Sequence, residues 1–473
     1  MRWRYTVAAG LVFAALLAYV LTQERTRVAQ EGEAFGLDAN TVTKLEVKRQ
    51  GQPDLVVEKR DGEWHLTSPI QGLADEDEVM RMVKAVAELK PDSSRKGVDL
   101  AADDFGLKEA DLVATIYYGG DKQAQVSLGK ETPIGASRFA KIEGRDKLYI
   151  VPASVRTTLS GEPDRLRQKT VAKFEADDVQ SVRLEHGGEV IAAARSGEGE
   201  GLKWRLTEPL KTGGDEWNIK QLINKIKDMR AEGFVDEQHT DAEMGLDKPQ
   251  VTLALSMKDG KSLTVTVGKK TRRAVGEPET EQDVLFVRSS ERSEVLLVKA
   301  DVLDSLTKSV FDLRNKSVVQ VNRDDVTRIK VERKEGLNFS VARRPSGWIV
   351  EQPKVADASQ SKVDNLLWDV EDLSAKSFVT EEATDQDLRS YGLLVPSTAL
   401  IITVRGQDQP IKVFVGNKTE DGDYYCMTNQ SKQVVTISRF LLDDLPETED
   451  DLKASATDMT PQSPFGSGEE PQF

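Results

Sequence analysis

At 473 residues the chain is too long for one ordinary domain, and length alone suggests about three. With 31% charged and 38% hydrophobic residues it can build cores beneath very wet surfaces. Its 65 basic and 80 acidic residues leave a formal net charge of -15. That argues against nucleic-acid binding, which needs clustered Lys and Arg to displace counterions, and against broad adhesion to an anionic membrane surface.

The N-terminus carries a targeting signal. Arg2 and Arg4 precede an apolar run from Thr6 to Leu21, and Glu24-Arg-Thr-Arg27 ends it. With Trp3 and Tyr19 as interfacial anchors, residues 3–22 are about long enough to span a bilayer. A cleaved signal peptide would have an apolar region of similar size, but the exit Ala18-Tyr-Val-Leu-Thr22 supplies no convincing small-residue cleavage site. Residues 1–27 therefore read as an uncleaved transmembrane anchor. The bulk of the chain is expected outside the cytoplasm, because long downstream domains translocate regardless of flanking charge.

Beyond the anchor the sequence repeats three times, with expected domains at 40–171, 172–318 and 319–453. Each copy opens on an alternating strand: Val42-Thr-Lys-Leu-Glu-Val47, Val179-Gln-Ser-Val-Arg-Leu184 and Val326-Thr-Arg-Ile-Lys-Val331. Next come Gly62-Glu-Trp-His-Leu-Thr-Ser-Pro69, Leu202-Lys-Trp-Arg-Leu-Thr-Glu-Pro209 and Ser346-Gly-Trp-Ile-Val-Glu-Gln-Pro353, strands stopped by proline. Their tryptophans, Trp64, Trp204 and Trp348, lie 140 and 144 residues apart.

A helix follows at the same offset in every copy. Val79, Met82, Val83, Val86 and Leu89 share one template with Ile219, Leu222, Ile223, Ile226 and Met229, and with Val363, Leu366, Leu367, Val370 and Leu373. That spacing puts a narrow apolar stripe on one face. Asp75 with Glu78 predicts a capping box, and Asp215 and Ser359 are the expected caps of the other two helices. Phe105-Gly-Leu107, Met244-Gly-Leu246 and Tyr391-Gly-Leu393 then recur.

A four-strand meander closes each sheet. Its first hairpins are Leu112–Tyr118 with Ala124–Leu128, Val251–Met257 with Ser262–Val267, and Ala399–Val404 with Ile411–Val415; its last strands end at Lys147–Val151, Glu294–Val298 and Gln433–Ser438. Residues Thr271–Gln282 read as an enlarged hairpin loop in the second copy. A closing helix ends in Leu166-Arg-Gln-Lys169, Leu313-Arg-Asn-Lys316 and Leu452-Lys453. The fold class is α+β: an N-terminal transmembrane helix, then three tandem repeats, each a mainly antiparallel sheet with two helices. The tail, 454–473, lacks apolar periodicity and is expected to be disordered.

No combination of residues specifies chemistry. His65, His186 and His239 fall at different places in their repeats and share no metal-ligand spacing. The phrases Gly129-Lys-Glu-Thr132, Gly268-Lys-Lys-Thr271 and Gly416-Asn-Lys-Thr419 lack the upstream glycine and following helix of a phosphate loop, so they read as strand exit turns. The pairs Asp103-Asp104, Asp177-Asp178, Asp324-Asp325 and Asp443-Asp444 read as solvated turns, since none forms a calcium loop. Cys426, the sole cysteine, sits in the alternating run Gly422–Thr428 and reads as a buried strand residue. The tryptophans alternate with Leu66, Leu206 and Val350 and are expected in the core. No catalytic, cofactor-binding or metal residues are assigned, and the chain is expected not to be an enzyme.

An anchor followed by units with strand-Gly-x-Trp-x-(Leu/Val)-x-x-Pro, an Asp-capped helix, an aromatic-Gly-Leu step and a (Leu/Val)-Gly-(Lys/Asn) strand end resembles the bacterial DUF4340 family. The resemblance covers Val42 to about Leu452. Members of that family are often encoded beside ABC-type permease and ATPase components and a gliding-motility-type auxiliary protein. The resemblance thus implies an accessory or scaffold subunit on the outer side of the bacterial inner membrane, with such membrane proteins as partners, no nucleic acid and no cofactor. The other reading is an extracytoplasmic binding protein for an envelope ligand such as glycan or lipid.

Overall fold

A computed structural model describes residues 34–454, apart from 101, 134, 198–201 and 277–278. The expected anchor over 1–27 and nearly all of the expected disordered tail lie outside the described residues. Among the described residues no helix is long and apolar enough to cross a membrane. Two compact units divide the chain, Met1–Glu189 with Leu222–Thr307, and Val190–Gln221 with Lys308–Phe473.

Three nine-stranded antiparallel sheets carry the fold, one per repeat. In the first repeat the strands are β1 (Val42–Arg49), β2 (Leu55–Arg60), β3 (Glu63–Ser68), β4 (Gly72–Leu73), β5 (Ser93–Arg95), β6 (Leu112–Tyr118), β7 (Lys122–Glu131), β8 (Ser137–Ile142) and β9 (Leu148–Pro152). Helix α1 (Glu76–Ala87) lies between β4 and β5 in the chain, and α2 (Ser154–Leu159) and α3 (Pro163–Leu166) follow β9. In space the order is β4-β3-β2-β1-β6-β7-β8-β9-β5, so β1 and β6 join two meanders at the centre. The second and third sheets follow the same order, centred on Val179–His186 with Val251–Met257 and on Val326–Arg333 with Thr398–Val404.

Each nine-stranded sheet includes two edge strands that no sequence landmark marks. They are the short edge pieces β4 and β5 and their counterparts, for example Gly233–Phe234 and Ala375–Thr380. The closing helix is also two short helices instead of one. In the first repeat Gly161-Glu162-Pro163 interrupts it: proline cannot continue a helix but suits the first position of a new one. In the second and third repeats the chain restarts on capping boxes at Ser309 and Thr448.

Helix α1 lies over β3, β6 and β7 and buries Val79, Met82, Val83 and Val86. Asp75 caps it by accepting from the amides of Asp77 and Glu78, but the reciprocal half of the expected box is absent. The Asp75 amide instead donates to the Leu166 carbonyl at 2.7 Å, so Glu78 has no donor to reach back to. Asp215 accepts from the Asn218 amide as expected. At Ser359 the hydroxyl meets that of Ser361, 3.1 Å away, in place of a helix amide.

The repeated tryptophans are core residues: Trp64, Trp204 and Trp348 are all buried. Opposite each on the neighbouring strand stands a cation, Lys59, Arg195 or Arg343, whose charge lies 5.8, 5.3 and 5.1 Å from the ring centroid. The prolines that end these strands, Pro69, Pro209 and Pro353, follow cis peptide bonds. Thr271–Gln282 is mostly strand and not an enlarged loop. Ser262–Val275 and Thr280–Ser289 pair as far as Val275 with Thr280.

The glycine phrases are internal bulges, correcting their reading as exit turns. Pairing shifts register between Leu128 and Glu131, Val267 and Lys270, and Val415 and Lys418, and the strand continues past each. Gly129, Gly268 and Gly416 sit at those shifts because the aromatic-Gly-Leu step packs against them. A Cβ there would lie 2.1, 2.3 and 2.1 Å from the carbonyl oxygens of Phe105, Met244 and Tyr391. The middle glycines of that step, Gly106, Gly245 and Gly392, have left-handed φ of 64°, 69° and 70°. One contact thus explains two sequence landmarks. Gly129→Ala, Gly268→Ala and Gly416→Ala should each cost roughly 1–3 kcal/mol by overpacking, read by urea denaturation. A cost below about 0.5 kcal/mol would show that the step can move away.

Candidate functional site

The segment that ends each repeat has a recurring bonding pattern. In the first repeat the Leu166 carbonyl accepts from Asp75, and the Gln168 amide donates to Leu73. In the other repeats Leu313 and Leu452 accept from Asp215 and Ser359, while Asn315 and Ala454 donate to Gly213 and Asp357. The chain then runs on past the helix of the following repeat. Within the first compact unit Lys169 accepts from Ala231, and Val171 donates to Met229; within the second, Lys316 accepts from Ala375, and Val318 donates to Leu373. Each such segment places one arginine in a built joint.

In the first unit that arginine is Arg167, 1% exposed. Its guanidinium lies 3.7 Å from the ring centroid of Phe234, and its Nη1 donates to both carboxylate oxygens of Asp236 at 2.8 and 2.9 Å. In the second unit Arg314, 3% exposed, lies 3.4 Å from the ring centroid of Phe378. It makes a two-pronged pair with Glu381 at 2.7 and 3.1 Å. An arginine stacked on a phenyl face and paired to a carboxylate is held by geometry that a lysine cannot copy. Hydrogen bonding to Arg314 holds the Glu381 carboxyl below its ordinary 4.5, against an opposing push from burial, and Gln433 adds a further bond.

The first joint contains a second buried cation. Arg292 donates to the carbonyls of Gln168 and Thr170 at 2.7 and 2.8 Å, and its Nη2 is 3.6 Å from Glu294. Glu294 in turn accepts from the Leu73 amide at 3.1 Å. Burial lowers the Arg292 pKa, with Glu294 opposing that effect. A cleft of about 490 Å³ lies beside it, bordered by Glu63, Glu76, Lys173 and Glu291. Guanidinium groups stay protonated, so these arginines hold and orient the segments they bond.

The other residues weighed for chemistry are scattered. His65 is a half-buried residue of β3, His186 ends the strand Val179–His186, and His239 lies 3.1 Å from Glu237. Cys426 is buried, and burial pushes its thiol up to about 12. Of the aspartate pairs, Asp103-Asp104, Asp177-Asp178 and Asp324-Asp325 lie in short 3-10 turns, and Asp443-Asp444 ends a four-residue helix. Among the described residues no three His, Cys, Asp or Glu side chains gather as a metal site.

The joint residues escaped the sequence reading. Leu166-Arg167 and Leu313-Arg314 were visible only as helix ends. Phe234 and Phe378 each stand five residues after the last stripe position, Met229 or Leu373, and that coincidence is the signal that could have found them.

A family model described as a domain of unknown function (DUF4340) matches the chain three times, over residues 64–249, 204–355 and 348–457. Each match begins at a repeat tryptophan. No curated protein and no solved structure matches.

Arg314→Ala should cost roughly 1–2 kcal/mol, since it removes the stacking on Phe378 and the cation paired with Glu381. The Glu381 pair stabilises the fold above the ordinary glutamate pKa of 4.5, and that stabilisation is lost as pH falls through the lower folded value. Glu381→Gln should therefore flatten the acid limb of a stability-versus-pH curve measured by urea denaturation. An unchanged limb would mean the pair is not formed in solution.

Proposed function

This chain belongs to the DUF4340 family, and from that premise we propose that it is a non-catalytic, membrane-anchored envelope protein. It acts as an interaction or scaffold subunit of an ABC-type transport complex in the bacterial inner membrane. Residues 3–22 span the bilayer, and the repeats stand on its outer side. The observation that supports this reading best is where the shared side chains lie. The tryptophans are in cores, the glycines pack against backbone, and the arginines hold joints. What the repeats have in common serves shape, as a scaffold requires. A glycan- or lipid-binding protein would be expected to expose its repeated aromatics as platforms.

Departures from the repeat lie on the surface. Leu394 and Val395 follow the aromatic-Gly-Leu step of the third repeat and are 49% and 64% exposed. The first two repeats carry Lys108-Glu109 and Asp247-Lys248 there. Trp217, also exposed, stands where the other helices have Asp77 and Ser361. Apolar side chains at positions charged or polar elsewhere in the array suit a protein partner.

If the reading is right, the mature protein keeps Met1 or Arg2, stays with membranes through a carbonate wash, and co-purifies from detergent with a polytopic permease. Leu394→Lys with Val395→Glu should reduce that recovery while leaving the melting temperature unchanged. A mature N-terminus near Leu21, or recovery of no membrane partner, would count against it.

A further inference from the structure

Within the second compact unit a cleft of about 540 Å³ opens at the C-terminal end of the helix Gln360–Glu371. Phe311, Asp369, Leu373, Phe440 and Leu441 wall it. Phe440 is 65% exposed and Phe311 is half-buried, so two phenyl rings and one carboxylate border the same space. Burial, with Asp444 and Asp372 adding to it, pushes the Asp369 carboxyl above its ordinary 3.8, and no cation opposes that push. The cations of this region are engaged elsewhere. Lys376 lines the cleft but reaches toward Asp423 at 3.9 Å. Lys316 donates to the Asp312 carbonyl at 3.1 Å, and the Arg323 guanidinium lies 3.5 Å from the Trp368 ring centroid.

The corresponding place in the preceding joint has other chemistry. Counting along the helix template sets Asp369 against Lys225, and counting back from Leu313 and Leu166 sets Phe311 against Asp164. Phe378 pairs with Val435 as Phe234 pairs with Leu296, which sets Phe440 against Asp301. Two aspartates of the earlier joint are phenylalanines here, and a lysine is an aspartate. The helix end shows the same reversal. Its last turn carries Lys84 in the first repeat and Lys225 with Lys227 in the second, but no basic residue in the third. A helix C-terminus is itself partly negative, and in the third repeat that charge adds to Asp369 and Asp372.

We propose that this cleft docks a basic side chain of a protein partner, an arginine or lysine carried on an apolar segment. Its cation meets Asp369 and the helix end, and its stem lies against Phe311 and Phe440. The negative charge turns away anionic lipid, while the rings suit the apolar stem of a long cationic side chain. The proposal rests on the reading of the chain as a scaffold and adds residues other than Leu394 and Val395 to its contacts.

The test uses the full chain in detergent micelles, with fluorophenylalanine incorporated so that fluorine NMR reads the Phe440 resonance. The probe is phenethylammonium, an ammonium on a short apolar stem. It should bind about five- to tenfold more tightly than neutral phenethyl alcohol, a range between an exposed ion pair and a buried charged hydrogen bond. D369N should erase that difference without lowering the melting temperature, because it removes a charge that the free protein leaves unpaired. Equal binding of the two probes, a difference that survives D369N, or a lower melting temperature for D369N would overturn the proposal. In cells, a benzophenone amino acid in place of Phe440 should on irradiation label a protein beside an arginine or lysine. Labelling of lipid, or of a second copy of this chain, would overturn it as well. Loss of the probe difference in D369N supports the site even where no permease is recovered, and its survival overturns the site even where one is, so the two readings fail separately.

Discussion

The structure depends on how the ends of one 12-residue helix per repeat are satisfied. A helix leaves its first amides and last carbonyls without internal partners. In the first repeat the Leu166 carbonyl takes the Asp75 amide, and the Leu89 carbonyl is taken by Ala34. In the third, Leu452 serves Ser359, and Leu373 is served by Val318. The start of the helix is closed by the last segment of its own repeat and its end by the segment that precedes that repeat. Continuity of the array is therefore written into backbone hydrogen bonds, which do not depend on side-chain identity and survive wide sequence drift.

Side chains then set how firmly each contact is held. Phe105-Gly106-Leu107 can lie against β7 only because Gly129 has no Cβ, and the bulge at that glycine lets the strand continue. The same constraint acts at Gly268 and Gly416. These glycines are steric requirements of one packing event, not phosphate-binding chemistry. A glycine-lysine pair at the end of an apparent strand carries no chemical meaning until its neighbours are known.

Much of the fold was legible because its signals are periodic and apolar. The Trp strand, the helix stripe and the central strands each bury one face, and burial imposes alternation. Where that pressure is absent the reading failed. Residues Lys269–Ala274 are exposed or half-buried on both faces of a projecting ribbon, so they show no alternation and resemble a loop. The strands β4 and β5 are two and three residues long, too short for any period. The missed half of the cap at Asp75 failed for another reason: a partner 91 residues away, Leu166, had already taken the amide. The joints were hidden likewise, since Arg167 meets Asp236 across 69 residues and Arg314 meets Glu381 across 67. Pairs of that separation leave no local pattern.

The choice of cation at the end of each repeat follows from what it meets. Arg167 and Arg314 each face a phenyl ring and a carboxylate from the next repeat. A planar guanidinium can stack and pair at once, whereas an ammonium is a compact, strongly hydrated charge. The third repeat ends on Lys453, which turns back to Asp450 at 2.8 Å within its own last helical turn. There the backbone part of the pattern persists, with Ala454 donating to Asp357 at 3.0 Å, but the residue suited to gripping a further repeat is gone.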